Sequence, residues 1–236
     1  MERLLRRIIL LLASVLRSGD ILDAGANDGR DTAALAEWFA GRTVHGVEPL
    51  EVNFNALRSR SKAHANMRIV HGGLSSHSGI SSYSENAERA GPGSRSQTGL
   101  LGNYLQRERT GKRVNYTLTT IDTMFQNRTL AFAHLDLEGH EHSALQGATA
   151  TISRDQPIMS VEAFPRAYSK QYHALASYVI NELRYSMFTI PEVCGGHGCR
   201  NYLCLPSWVN TSLVLEEAAK SHVKLTQVVG EVENVS

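Results

Sequence analysis

The sequence predicts an α/β fold, a mostly parallel sheet with helices on both faces. Three observations carry this prediction. Short apolar runs that suit buried strands alternate with longer stretches of helical composition through the first third of the chain. The first of these strands runs straight into a turn of small residues, Ala24 to Gly29. The second ends on an acid, Glu48, followed at once by Pro49, which stops a ladder.

Residues 3–17 come first. Arg3, Arg6 and Arg7 precede an apolar run from Ile8 to Leu16. A secretory signal begins in the same way, but the run is too short to span a bilayer. Leu4, Leu5, Ile8, Ile9, Leu12, Val15 and Leu16 follow a helical period, so a packed amphipathic helix is expected. Residues 20–23 read as a buried strand, 31–40 as a helix, 43–47 as a strand, 51–63 as a helix and 67–70 as a strand. The Ser- and Gly-rich stretch from Gly72 to Gly111 then breaks the periodicity, with one short strand expected within 75–84. Val114–Thr119 alternates like a strand, and Ile121 to Phe125 starts a further short element. Leu130–Leu135 reads as a buried strand ending at Asp136. A helix from His142 to about Ser153, a strand over 158–162, a helix over 169–184 and strands over 186–190 and 202–205 complete the alternation. Leu213–Lys220 is helical again.

With 236 residues, 42% of them hydrophobic, the whole chain, 1–236, is read as one domain. It divides into an N-terminal helix in 1–19, a flexible insertion over 85–112, and a Cys-containing loop with an appendage over 194–236. A formal net charge of +1 gives no summed field to attract nucleic acid or anionic lipid. No basic stretch is interleaved with aromatics as single-strand binding requires. Neither nucleic acid nor a membrane is therefore expected as a partner. Asn-x-Ser/Thr triplets begin at Asn115, Asn127, Asn210 and Asn234, little more than this composition gives by chance. A cytoplasmic location is expected, with a secretory location of a longer parent protein left open.

The turn after the first strand carries the strongest functional signal. Gly25 and Gly29 lack a Cβ, so the chain turns tightly and a ligand has room against bare backbone. The next helix presents its N-terminal amides there. Asp23 is placed either to accept from a ligand or to hold the loop. Glu48 lies 19 residues after Gly29, where a carboxylate accepts from ribose hydroxyls in dinucleotide folds. A nicotinamide fingerprint wants G-x-G-x-x-G, whereas here Gly25-x-Asn27-x-Gly29 has no third Gly at the helix start. That favours S-adenosyl-L-methionine, which carries no pyrophosphate. An NAD-dependent oxidoreductase and a non-catalytic cofactor-binding scaffold remain as alternatives.

Six segments then occur in an order that resembles the FkbM-type methyltransferases, a branch of the Rossmann-like class I fold. They are Asp23-Ala-Gly-Ala-Asn-Asp-Gly29, Val47-Glu48-Pro49, Thr120-Ile121-Asp122, Leu135-Asp136-Leu137-Glu138-Gly139-His140-Glu141, Leu145-Gln146-Gly147-Ala148 and Pro157-Ile158-Met159-Ser160-Val161-Glu162. The resemblance covers about residues 20–165. It implies a seven-stranded sheet and methyl transfer from S-adenosyl-L-methionine, usually to a hydroxyl oxygen of a macrolide, sugar or other small molecule. It also implies that Gly25, Asn27, Gly29 and Glu48 line the cofactor.

Ligands of open α/β sheets sit outside the carboxyl ends of the strands. Asp136, Glu138, His140, Glu141 and His142 follow one such end, and Glu162 lies at the next. A hydroxyl acceptor must lose a proton to a base within hydrogen-bond reach. Asp136, Glu138, His140 and Glu162 are therefore the expected catalytic group, one of them the base. Glu141, at a helix start, suits a capping role as well. A hard cation also takes oxygen ligands, but the spacing does not favour one and no metal is expected. All three cysteines fall between Cys194 and Cys204. Together with His197 they match no common zinc spacing. A Cys194–Cys199 disulfide is geometrically easy, and free thiols in a substrate-facing loop are the default expectation. Arg200 and Asn201 are weaker candidates for substrate contact.

Overall fold

Strands form where the apolar runs are, because residues buried on both faces of a parallel sheet read as continuous hydrophobic stretches. β1 (Asp20–Ala24), β2 (Val44–Glu48), β3 (Met67–His71), β7 (Leu130–Leu135) and β8 (Ile158–Ala163) pair in parallel in the order β3-β2-β1-β7-β8. β10 (Arg200–Leu205) adds antiparallel to β8, and β9 (Ser186–Val193) adds antiparallel to β10. These are the seven strands expected. A two-residue strand, β11 (Thr226–Gln227), extends the sheet to eight at its edge. A separate three-stranded sheet lies between β3 and β7, in the order β4 (Gly73–Leu74), β6 (Lys112–Thr119), β5 (Gly79–Glu85). The computed structural model describes residues 3–85, 112–166, 169–193 and 198–229. Most of the expected flexible insertion over 85–112 lies outside them.

Helices cover both faces, and the alternation of strand side chains divides the core. Ile21, Phe132, Ile158, Phe188 and Leu203 point to one face. There they meet α1 (Arg3–Leu12), α2 (Arg30–Trp38), α3 (Glu51–Ser61) and α8 (Thr211–Lys220). Leu22, Ala133, Met159, Met187 and Cys204 point to the other. That face carries α4 (Ile121–Met124), α5 (Glu141–Gln146), α6 (Thr149–Asp155) and α7 (Ser169–Ser177), the last continued by a π-helical turn over Tyr178–Glu182. Among the described residues no helix is long and apolar enough to cross a membrane.

α1 has the expected amphipathic form and buries Leu5, Ile8, Ile9 and Leu12. Its first amides are satisfied from across the fold. Glu192 Oε2, on β9, accepts from Leu4 N at 2.6 Å and from Leu5 N at 3.2 Å. This is helix capping by a remote carboxylate. Glu192→Ala should cost about 1 kcal/mol of stability, measured by urea denaturation.

The single helix expected from His142 to Ser153 is two. α5 stops at Gly147 and α6 starts after Ala148. A Cβ on Gly147 would lie 2.1 Å from the carbonyl oxygen of Ser75, so the loop after β4 presses against the backbone there. Ser75 Oγ and Ser143 Oγ, 3.2 Å apart, hold the same contact. The break thus comes from a loop remote in sequence, which helical periodicity does not register.

Candidate active site

Register places the site. Glu48 pairs with His71 across β2 and β3, and Glu162 pairs with Asn201 across β8 and β10. The last pairs between the neighbouring parallel strands are Ala24 with Val47, Ala24 with Leu135, and Leu135 with Val161. One residue further on, His71, Glu48, Gly25, Asp136, Glu162 and Asn201 form a row across the carboxyl edge of the sheet. Strand order reverses between β1 and β7, so the crevice of an open α/β sheet opens at the middle of this row.

On the β1 side, Glu48 is 4% exposed and holds the turn. Its Oε2 accepts from Asn27 N at 2.8 Å and its Oε1 from Leu50 N at 2.9 Å. Burial pushes the carboxyl up to about 7, against the pull of those two backbone amides. The Asn53 side chain bonds the same carboxylate, and of its roughly four acceptor sites one is left for a ligand hydroxyl. Asn27 sits in the left-handed region at φ 49°, and its Oδ1 is buried without a hydrogen-bond partner. Strain and an orphaned acceptor together mark a position shaped for something beyond packing.

Two expectations about this turn change in their physical reason. Gly25 has φ 89°, and a Cβ there would lie 1.8 Å from the carbonyl oxygen of Asp136. Gly29 has φ 81°, and its Cβ would lie 2.6 Å from Leu57 Cδ1. The missing side chains make room for the β7 end and for α3, not only for a ligand. Asp23 lies beneath the crevice at 1% exposure, where its Oδ2 accepts from Thr32 Oγ1 at 2.5 Å. Of its two expected roles, this geometry serves the holding of the loop. Burial pushes Asp23 up to about 6, with neighbouring His134 pulling the other way.

On the β7 side, the loop after Leu135 is tightly wound. Glu138 and Gly139 have φ 52° and 96°. Glu141 Oε1 accepts from Leu137 N at 2.8 Å and Gly139 N at 3.1 Å. Glu141 is therefore the internal brace of the loop, and burial pushes it up to about 8. Asp136, Glu138 and His140 are half-buried on the same loop, His140 as the N-cap residue of α5. Glu162, 7% exposed, lies beside them. Burial first, and then the charge of Asp136, push it up to about 12, with Glu141 and Glu138 adding to the effect. It therefore holds its proton at neutral pH. Its Oε1 lies 2.8 Å from Cys199 Sγ.

The thiol expectation is corrected in part. Cys199 is disulfide-bonded rather than a free thiol, while Cys204 is free and buried inside β10, in the strand expected over 202–205. Cys194 and His197 lie outside the described residues. Among the described residues, no group of three His, Cys, Asp or Glu side chains is arranged to hold a metal.

Sequence reasoning did not find His71, whose ring stacks on Phe54 at 4.4 Å beside Glu48. It also missed the buried row one layer down, in which His134 Nδ1 lies 3.2 Å from Ser160 Oγ. A histidine inside the apolar run Leu130–Leu135 was the available signal for the second. For the first there was none, since only the fold brings residues 54 and 71 together.

The sequence profile of the methyltransferase FkbM domain matches residues 23–188. Among solved structures, the chain is similar to a methyltransferase FkbM from Methylobacillus flagellatus KT, with 18% identity and a TM-score of 0.55, over 81% of this chain and 45% of that one. It is also similar to an O-methyltransferase from Bacillus cereus in complex with S-adenosylhomocysteine, with 14% identity and a TM-score of 0.51, over 86% of this chain and 80% of that one. The chain thus spans less than half the length of the first. At these identities the likeness is one of fold. No curated protein matches the chain.

Proposed function

The chain belongs to the FkbM methyltransferase family, and from that premise we propose that it transfers a methyl group from S-adenosyl-L-methionine to a hydroxyl oxygen of a small molecule or sugar. The observation that carries this reading is the row across the carboxyl edge of the sheet. It puts a carboxylate suited to ribose, Glu48, on one side of the switch point and the Asp136–Glu162 pair on the other.

The residues on the β1 side fit the cofactor. Glu48 keeps one acceptor site beyond its bonds from Asn27, Leu50 and Asn53, the buried Asn27 Oδ1 lacks a donor, and the Phe54–His71 stack offers a flat face beside Glu48. When bound, the sulfonium supplies an electrophilic methyl group. The protein's task is then alignment and proton removal. Glu162 keeps its proton and donates to the acceptor, while Asp136, half-buried next to it, takes the proton that the hydroxyl loses. The oxygen–carbon bond forms as the carbon–sulfur bond breaks, its electron pair leaving on sulfur. Glu138 and His140 flank the acceptor on the same loop.

Titration calorimetry tests the reading. S-adenosylhomocysteine should bind and NADH should not; NADH binding alone would sink it. The affinity should also rise on the order of tenfold between pH 6 and 8, because ribose hydroxyls donate better to an ionised Glu48. The empty protein should show the opposite trend. A carboxyl raised from 4.5 to about 7 favours the folded state at low pH, and that advantage is lost as the pH rises between those values.

A further inference from the structure

An apolar groove runs between α1 and the start of α8. Leu11 and Val15 form one wall, and Trp208, Leu213 and Val214 the other. The polar side chains in its lining are engaged close by. Ser14 Oγ donates to Leu11 O at 3.4 Å, Asn210 Oδ1 accepts from Leu213 N at 3.2 Å, and Glu217 Oε1 accepts from Lys220 Nζ at 2.8 Å. Trp208 spends its indole N–H on Gln156 O at 3.0 Å, so what it adds to the groove is apolar ring. The cavity holds about 190 Å³. That is below the roughly 300–1,000 Å³ of ordinary small-molecule sites, and it suits the end of an aliphatic chain. Leu10 and Leu213, on the two helices, are 45% and 46% exposed. Charge surrounds this apolar face. Residues 3–19 hold four arginines and no acid, an asymmetry that the net charge of +1 for the whole chain conceals. Arg3, Arg7 and Leu10 are exposed at helical spacing along one stripe of α1, and Arg7 Nη1 reaches Ser221 O just past α8. Both tryptophans of the chain flank α1 half-buried, each beneath an arginine. Arg17 lies 4.1 Å over the Trp208 ring and Arg6 lies 4.7 Å over the Trp38 ring.

We propose that this face rests on a bilayer containing anionic phospholipid, with an acyl chain in the groove. Leu10 and Leu213 enter the headgroup region, and Arg3, Arg7 and Arg17 pair with lipid phosphates. The charge is complementary, and long arginine side chains reach headgroups while their stems cover apolar surface. Tryptophan rings suit the same water–lipid boundary. The chain lies on the membrane and does not cross it. The membrane-free expectation followed from the summed charge, whereas a bilayer responds to the charge on the face it meets.

Flotation of the full chain with vesicles of phosphatidylcholine, alone or mixed with phosphatidylserine, tests this. The mixed vesicles should bind the chain about tenfold or more tightly, and added salt should shrink the difference. Arg3→Gln and Arg7→Gln should each weaken that binding about fivefold. Leu213→Glu should weaken it about tenfold or more, while the urea midpoint and the S-adenosylhomocysteine affinity stay unchanged. In a Trp38→Phe variant, the remaining Trp208 should be quenched when the vesicles carry lipid brominated along its acyl chains. Absence of binding to the mixed vesicles overturns the proposal. So does binding that Leu213→Glu leaves intact, since the arginines then adsorb without the groove. A dimer in light scattering that Leu213→Glu returns to monomer, without vesicle binding, overturns the lipid in favour of a second copy of the chain. The methyltransferase reading stands or falls independently of these outcomes.

Discussion

An alanine at position 25 should cost the protein about 4 kcal/mol or more. The new Cβ would lie 1.8 Å from the carbonyl oxygen of Asp136, which is backbone and cannot swing aside as a flexible side chain does. The residue would also hold φ 89°, a conformation that L side chains rarely adopt. Relief requires parting β1 from the end of β7, where Asp136 N donates to Ala24 O at 2.9 Å. Against a total stability of roughly 5–15 kcal/mol, that loss is a large fraction of the whole. Urea denaturation measures it. Gly41→Ala is the control, because nothing lies within 4 Å of a Cβ built there. Near-equal stabilities of the two variants would mean that the β1–β7 junction opens freely.

Asp136→Asn should lower kcat by about 10²–10⁴ while changing the S-adenosylhomocysteine dissociation constant by less than about threefold. The amide nearly matches the carboxylate in shape but cannot take the hydroxyl proton. Glu162 is no substitute, because burial and its acidic neighbours keep it protonated. Single-turnover kinetics with a saturating acceptor separates the chemical step from binding. Retention of turnover within a few-fold would move the base to Glu138 or His140, the other groups on the loop.

The parallel half of the sheet was legible in the sequence because strands buried on both faces are written as apolar runs. Leu130–Leu135 was bounded correctly to the residue. The turn at Gly25 and the acid at Glu48 were legible for the same reason, as interruptions of such runs. What could not be read were contacts between distant segments. The helix break at Gly147 depends on Ser75, and the second reason for Gly25 and Gly29 depends on Asp136 and Leu57. Asp23 reads equally as a ligand contact and as a brace of the loop until its bond from Thr32 is seen. Likewise, the sequence sets Glu162 among several equivalent acids. Only the row formed by register buries it more deeply than Asp136 and Glu138, with Asn201 across from it and Cys199 against its side.

The fit of the Asp136 carbonyl into the hollow at Gly25 has a consequence for protein engineering. On the proposed function, the loop for the cofactor and the loop for the acceptor meet directly, Gly25 against the Asp136 carbonyl. Acceptor range is usually altered by grafting a loop from a relative. Here a graft over residues 136–141 that moved its first carbonyl would reshape the neighbouring turn as well. The two halves are therefore not modular, and a chimera should exchange residues 23–29 and 136–141 as a single cassette.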